Sequence, residues 1–123
     1  MIDNFAQNNL PEPNFQPDYL FLDLPQFNHP ENLNCVERLL DDHIANGKGS
    51  NICLKTFGET WTYNDLFEKA NKIAHVLVDD LGLQPGNRVL LRSCNNPMMV
   101  ACSFAVLKAG GIVVATMPLL RSK

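Results

Sequence analysis

Ser93 and Cys94 stand side by side between an apolar run and a second, longer apolar run, where a nucleophile could end a strand. A hydroxyl or thiol nucleophile needs a base within hydrogen-bond reach and a group that orients the base. The chain has three histidines, His29, His43 and His75. His43 falls on the apolar side of a helical repeat and reads as packed or half-exposed. His75 lies on a helix, and nothing in the spacing brings it to Ser93 or Cys94. A triad is therefore not expected. The four cysteines, Cys35, Cys53, Cys94 and Cys102, form no C-x-x-C pair, so a zinc site, which needs clustered thiolates and imidazoles, is excluded on spacing. Cys53, Cys94 and Cys102 lie in apolar segments and are expected to act as small buried hydrophobes. Unpaired thiols point to a reducing, cytoplasmic setting.

Phosphate binding fares no better. A phosphate cradle places glycines between a strand and a helix so that backbone N–H groups can approach the anion. Here that junction is Ser93-Cys94-Asn95-Asn96-Pro97, without glycine and with one donor removed by Pro97. Gly110-Gly111 comes at the opposite junction, helix to strand, and reads as a helix stop. Asp41-Asp42 and Asp79-Asp80 are neighbours on helices, about 100° apart, and read as solvated charges. Trp61 reads as a core or hairpin aromatic. The remaining candidate is Thr116-Met117-Pro118-Leu119-Leu120-Arg121, which leaves the carboxyl end of the last strand, the edge of a parallel sheet where ligands bind. Thr116, Met117, Pro118 and Arg121 are the candidate binding residues; the alternative is an ordinary loop.

The elements that must position these residues follow from periodicity. Asn34-Cys35-Val36-Glu37 opens a helix, with Val36, Leu39, Leu40, His43 and Ile44 on one face and Gly47 and Gly49 at its end. Residues 52–57 and Thr60-Trp61 flank a turn at Gly58-Glu59 and predict a hairpin. Thr62-x-x-Asp65 resembles a capping box, and Leu66, Phe67, Ala70, Ile73, Ala74 and Leu77 continue at helical spacing to Gly82. Pro85-Gly86 makes a turn. The run Val89-Leu90-Leu91 predicts a strand buried on both faces. Asn95 or Asn96 caps a helix with Pro97 in its first turn. That helix is apolar nearly all round, so it belongs inside a protein. Residues 112–116 form another buried strand, which makes the unit a parallel βαβ.

The chain has 123 residues and a net charge of -3. Residues 1–34 carry five acids and no base, while the rest carries ten bases and eight acids. Neither part is basic enough for nucleic acid. There is no basic-then-apolar leader, and the apolar run 98–107 falls far short of the ~20 residues that cross a bilayer; no membrane is expected. Five of the eight prolines lie in residues 1–32, so this arm is neither a long helix nor a central strand. Its apolar cluster Tyr19, Leu20, Phe21, Leu22 and Leu24 should lie against a body. Two strands, a hairpin and three helices give a parallel sheet too little cover, so the sheet is expected to be incomplete. It would be completed by further chain, by a partner, or by self-association through exposed apolar surface.

The ordered motifs Thr62-Tyr63-x-x-Leu66, Gly86-Asn87-Arg88-Val89, Asn95-x-Pro97, Lys108-Ala109-Gly110-Gly111 and Met117-Pro118 resemble the N-terminal region of the adenylate-forming acyl-CoA synthetases, the AMP-binding enzymes. The usual family run at the turn is Gly-Asp-Arg-Val; this chain has Asn87 in place of the Asp. Tyr19-Leu20-Phe21, Asp23-Leu24-Pro25, Pro30-Glu31-x-Leu33-Asn34-Cys35 and residues 116–121 are similar to the benzoate and 2-aminobenzoate branch. The resemblance implies an α/β fold, the N-terminal part of the synthetase large domain, with a Pro-rich arm over 1–32 and a partial α/β subdomain over 33–123. It implies an acid–thiol (CoA) ligase using ATP, Mg and CoA, in which a carboxylic acid, here an aromatic one, passes through an acyl-adenylate. The family's phosphate loop, ribose-binding acid and catalytic lysine find no match, so no catalytic residue carries over and this chain alone is expected to bind no cofactor and to be inactive. At most, residues 116–121 would border the CoA channel. The alternative is a non-catalytic module that completes its sheet against a partner.

Overall fold

The computed structural model describes residues 2–16, 24–25, 28–30 and 32–120. Among the described residues, four α-helices and four strands follow in the order α1 (Phe5–Asn8), α2 (Asp42–Ala45), β1 (Ile52–Lys55), β2 (Thr60–Thr62), α3 (Tyr63–His75), β3 (Arg88–Arg92), α4 (Pro97–Lys108) and β4 (Ile112–Thr116). α2 is entered through a π-helical turn, Glu37–Asp41, and α3 runs on into a second, Val76–Asp80. β1 and β2 pair antiparallel and β3 and β4 pair parallel, as two separate two-stranded sheets. This is the incomplete α/β arrangement the sequence called for.

α3, α4 and the turn that enters α2 begin where local chemistry dictates. Thr62 and Asp65 form a full capping box: the Asp65 backbone N–H donates to Thr62 Oγ1 at 3.2 Å and the Thr62 backbone N–H to Asp65 Oδ2 at 2.8 Å. Asn96 accepts from the Met99 N–H at 2.8 Å, and Pro97 occupies the first helical turn, where a missing donor costs nothing. Asn34 does two jobs. Its Oδ1 accepts from the Val36 N–H, and its Nδ2 donates to the carbonyls of Leu107 and Lys108 at the end of α4. The same amide thus starts one helix and finishes another.

The core is small: Val36, Leu40, Leu66, Ala70 and Ala101 are almost fully buried, with Cys53, Leu54, Trp61, Tyr63 and Phe67 packed around them. Ala70 on α3 and Ala101 on α4 let the two helices approach closely. Burying Leu40 or Val36 contributes about 2 kcal/mol each. α4, apolar all round, lies between α3 on one side and β3 and β4 on the other. Gly111 makes the second contact close, since a Cβ there would stand 3.0 Å from Val106 Cγ1 and 3.3 Å from Leu83 Cδ2.

Three expectations need correction. β3 is not buried on both faces: burial alternates, and Leu90 is 63% exposed beside Val114 at 39%. α4 covers one face, and the described residues leave the other open. Cys94 is exposed rather than buried, because β3 ends at Arg92 and leaves it in the connection; Cys53 and Cys102 are half-buried. Asp41 is not a solvated charge, since Lys108 Nζ donates to it at 2.7 Å across two elements, while lying 4.4 Å over the Phe67 ring. The arm touches the body through Ile2, Asp3 and Phe5. The expected contact at Tyr19, Leu20, Phe21 and Leu22 lies outside the described residues, and Leu24 is 42% exposed.

Candidate functional site

β3 and β4 run in exact register from Arg88–Ile112 to Arg92–Thr116. Residues following the last pair therefore leave the sheet side by side. That places Ser93, Cys94 and Asn95 beside Met117, Pro118 and Leu119 around an open cleft of about 490 Å³, floored by Met99 of α4 and by Thr116. Three of the four residues expected at a site, Thr116, Met117 and Pro118, line this cleft; Arg121 lies outside the described residues. A smaller depression of about 280 Å³ adjoins it, between the hairpin residues Leu54, Lys55 and Thr56 and the start of α4, and shares Asn95 and Met99 with it.

The rim of the cleft is held by one side chain that sequence reasoning missed. Arg92, the last residue of β3, donates from one guanidinium nitrogen to the carbonyls of both Pro118 and Leu120, each at 2.8 Å. The Leu120 N–H closes back on the Met117 carbonyl at 3.2 Å. The available signal was the strand period, which sets Arg88, Leu90 and Arg92 on one face. Among the described residues, Arg92 joins no ion pair. Among those residues its guanidinium bonds only to carbonyl oxygens.

His75 is not part of this arrangement. Its Nδ1 lies 3.3 Å from Asp79, and it lines a different depression, with Lys108 and Ala109 at the far end of α4. Twelve helical residues separate the two ends, about 18 Å. Among the described residues, no imidazole lines the cleft with Ser93 and Cys94. His43 stacks on Tyr63 with ring centroids 4.6 Å apart, a packing role. Trp61 packs on the core with Lys69 Nζ 4.9 Å over its ring. Cys53 donates to the Trp61 carbonyl at 3.5 Å, and burial pushes its thiol pKa up.

ATP and Mg can be tested against these residues. At the β3-to-α4 junction the Met99 N–H already bonds to Asn96 and Pro97 has none to offer. Among the described residues no group of three His, Cys, Asp or Glu side chains could hold a metal ion. The junction does not fit a nucleotide phosphate or its cation. The cleft beside it does suit a slender, mostly apolar ligand with a few polar atoms: Met99, Met117, Pro118 and Leu119 supply walls, and Ser93, Asn95 and Thr116 supply hydroxyl and amide groups. Among the described residues no helix is long and apolar enough to cross a membrane.

The AMP-binding enzyme family model matches residues 41–123. An acyl-CoA ligase of Beauveria bassiana is 42% identical over 57 residues, 46% of this chain and 10% of its own length. Malpinin synthetase of Mortierella alpina is 33% identical over 94 residues, 76% of this chain and 1% of its own. The crystal structure of an anthranilate CoA ligase in complex with anthranoyl-AMP superposes with a TM-score of 0.69 at 25% identity, over 76% of this chain and 17% of that one. The chain therefore spans a small part of the length of each.

Proposed function

The chain belongs to the AMP-binding enzyme family, and on that premise we propose that it forms the opening scaffold of an ATP-dependent acid–thiol ligase. In that reaction a carboxylate attacks ATP to give an acyl-adenylate and pyrophosphate, and the CoA thiol displaces AMP to give the thioester. The observation that carries the reading is the family match across residues 41–123. The acid is proposed to be aromatic, of the benzoate or 2-aminobenzoate kind; the structural likeness to an anthranilate CoA ligase supports this choice. A cytoplasmic setting belongs to the same reading, supported by four free cysteines, two of them exposed.

Residues 1–123 act in this reading by positioning. The cleft at the carboxyl end of β3 and β4 is the edge of the CoA channel, bordered by Thr116, Met117 and Pro118, with Arg121 following in sequence. The pantetheine arm of CoA is slender, largely apolar and carries amides, which matches the walls described above. Because the β3-to-α4 junction does not fit a phosphate, residues 1–123 by themselves are proposed to release no AMP. Incubation with ATP, Mg, CoA and benzoate or 2-aminobenzoate should give AMP at background, and release above it would overturn the scaffold reading. Pantetheine should shift the NMR signals of Ser93, Asn95, Thr116, Met117 and Leu119 and spare those of α2.

A second reading rests on the open face of the parallel sheet, where Leu90 and Val114 are exposed. A non-catalytic module would complete its sheet against a partner or a second copy through that face. Light scattering separates the two: a monomer with strongly protected α4 amides argues against a required partner.

A further inference from the structure

We propose that Arg92 is a positioning residue that sets the width of the carboxyl-edge cleft and so governs its grip on a pantetheine-like thiol arm; the functional half of this assignment rests on the CoA-channel reading above. Thr116 ends β4 and Met99 is in α4, and Ser93, Cys94 and Asn95 span the short connection from β3 to the capped start of α4. Residues 117–120 have no such support. Within this stretch the bonds among described residues that fix its path are the two from Arg92 to the Pro118 and Leu120 carbonyls and the internal Leu120-to-Met117 turn. Pro118 has no N–H to give to a ladder, so its carbonyl is what the sheet edge can hold.

The chemistry of the side chain suits the task. A guanidinium stays charged at any working pH and offers several donors in one plane, so a single group can hold two carbonyls. Hydrogen bonds from a charged donor are stronger than neutral ones. Met117, Pro118 and Leu119 form the wall facing Ser93 and Asn95, with one held carbonyl, that of Pro118, inside this wall and the other, that of Leu120, just after it. If that wall swings outward, the slot becomes a shelf and apolar contact with a slender ligand is lost. Arg88, on the same sheet face, shows what an arginine does here with a carboxylate available: it pairs with Asp3. Arg92 has only carbonyls among the described residues, an arrangement that holds a loop rather than an acid.

The test uses the full 123-residue chain, with amide exchange and pantetheine titration read in parallel. Arg92→Met keeps the stem of the side chain and removes the donors. The Leu120 amide, bonded to the Met117 carbonyl, should exchange about tenfold faster, with Val89 and Leu91 protection and α4 unchanged. Pantetheine should bind about tenfold more weakly, and Arg92→Lys, which keeps the charge, should recover part of both losses. Unchanged exchange at 117–120 in Arg92→Met would overturn the assignment. So would loosening that spreads equally through β3 and β4, which marks a general structural role. If loop exchange rises but pantetheine binds neither wild type nor variant, the CoA-channel reading fails and the ligand half of the assignment fails with it. Loop exchange and titration therefore separate the two failures.

Discussion

At the amino end of the β3–β4 sheet the polar groups are engaged with one another, whereas at the carboxyl end several are not. Asp3 accepts from the Phe5 N–H at 2.9 Å, from Asn87 Nδ2 at 3.0 Å and from Arg88. The Ile2 and Asp3 N–H groups donate to the Pro85 carbonyl, and Arg88 lies 4.7 Å over the Phe5 ring. Gly86 is buried beneath this strap with φ 98°, in a turn closed by the Asn87-to-Gln84 hydrogen bond. At the carboxyl end, the bonds among described residues are Arg92 to its two carbonyls, the Asn96 cap and Ser103 to Met99. They leave the side chains of Ser93, Cys94, Asn95 and Thr116 free to meet a ligand. Stability is concentrated at one end of the sheet and unsatisfied chemistry at the other, a division that open α/β sheets commonly show.

The sharpest way to break this contrast is Gly86→Ala. The added Cβ would sit at a positive φ and run into the Asp3 carbonyl oxygen, so urea denaturation should show a loss of about 2 kcal/mol. Exchange at Ile2 and Asp3 should rise with it. A variant as stable as wild type would mean that the strap does not rest on this turn.

Asn87→Asp is the next largest. Asn87 uses its oxygen on the Gln84 N–H and its nitrogen on Asp3. A carboxylate there would face the Asp3 carboxylate and cost about 1 kcal/mol. Adding Asp3→Asn should restore most of that loss, and a double-mutant cycle reads the coupling. Strict additivity of the two changes would sink the pairing.

Acid should act on the two ends unequally. The Phe5 N–H, then Asn87, hold the Asp3 carboxyl below its ordinary range, and the Thr62 side chain and backbone do the same for Asp65. Both pKa values are depressed in the folded state, so their stabilisation is complete above the unfolded carboxyl value near ~3.9. It fades as pH falls through the lower folded values. Strap and α3-start amides should therefore lose protection below about pH 4, while the 117–120 loop, held by an arginine and carbonyls, keeps its own. Equal loss at both ends would contradict the contrast.

The smallest effects belong to the cleft. Ser93→Ala and Cys94→Ala should change stability by less than about 0.5 kcal/mol. Thiol labelling should reach Cys94 and Cys35 well before Cys53, whose thiol is half-buried with a raised pKa. Labelling Cys53 first would place the open end of the molecule elsewhere.

Local elements were legible because their signals are local. The Thr62–Asp65 box, the Asn96 cap, Pro97 at the helix start and the glycines after each helix are decided by groups a few residues apart. The order of strand, helix and strand was enough to place residues 116–118 at the carboxyl edge of the sheet, where they line a cleft. The number of covered faces was not legible: Val89-Leu90-Leu91 reads as a doubly buried strand, yet among the described residues α4 covers one face and Leu90 stays open. Asp41 next to Asp42 looks like surface charge, and only the packing of α4 delivers Lys108 to it.

Periodicity, caps and turn residues, all short-range, settled which segments are helices and strands and the family likeness. The fold alone decided which distant groups meet: Asp3 with Arg88, Asn34 with the end of α4, Arg92 with the 118 and 120 carbonyls, and His75 apart from Cys94. These contacts join residues up to 85 positions apart, and no local pattern encodes a distance between side chains that only packing brings together.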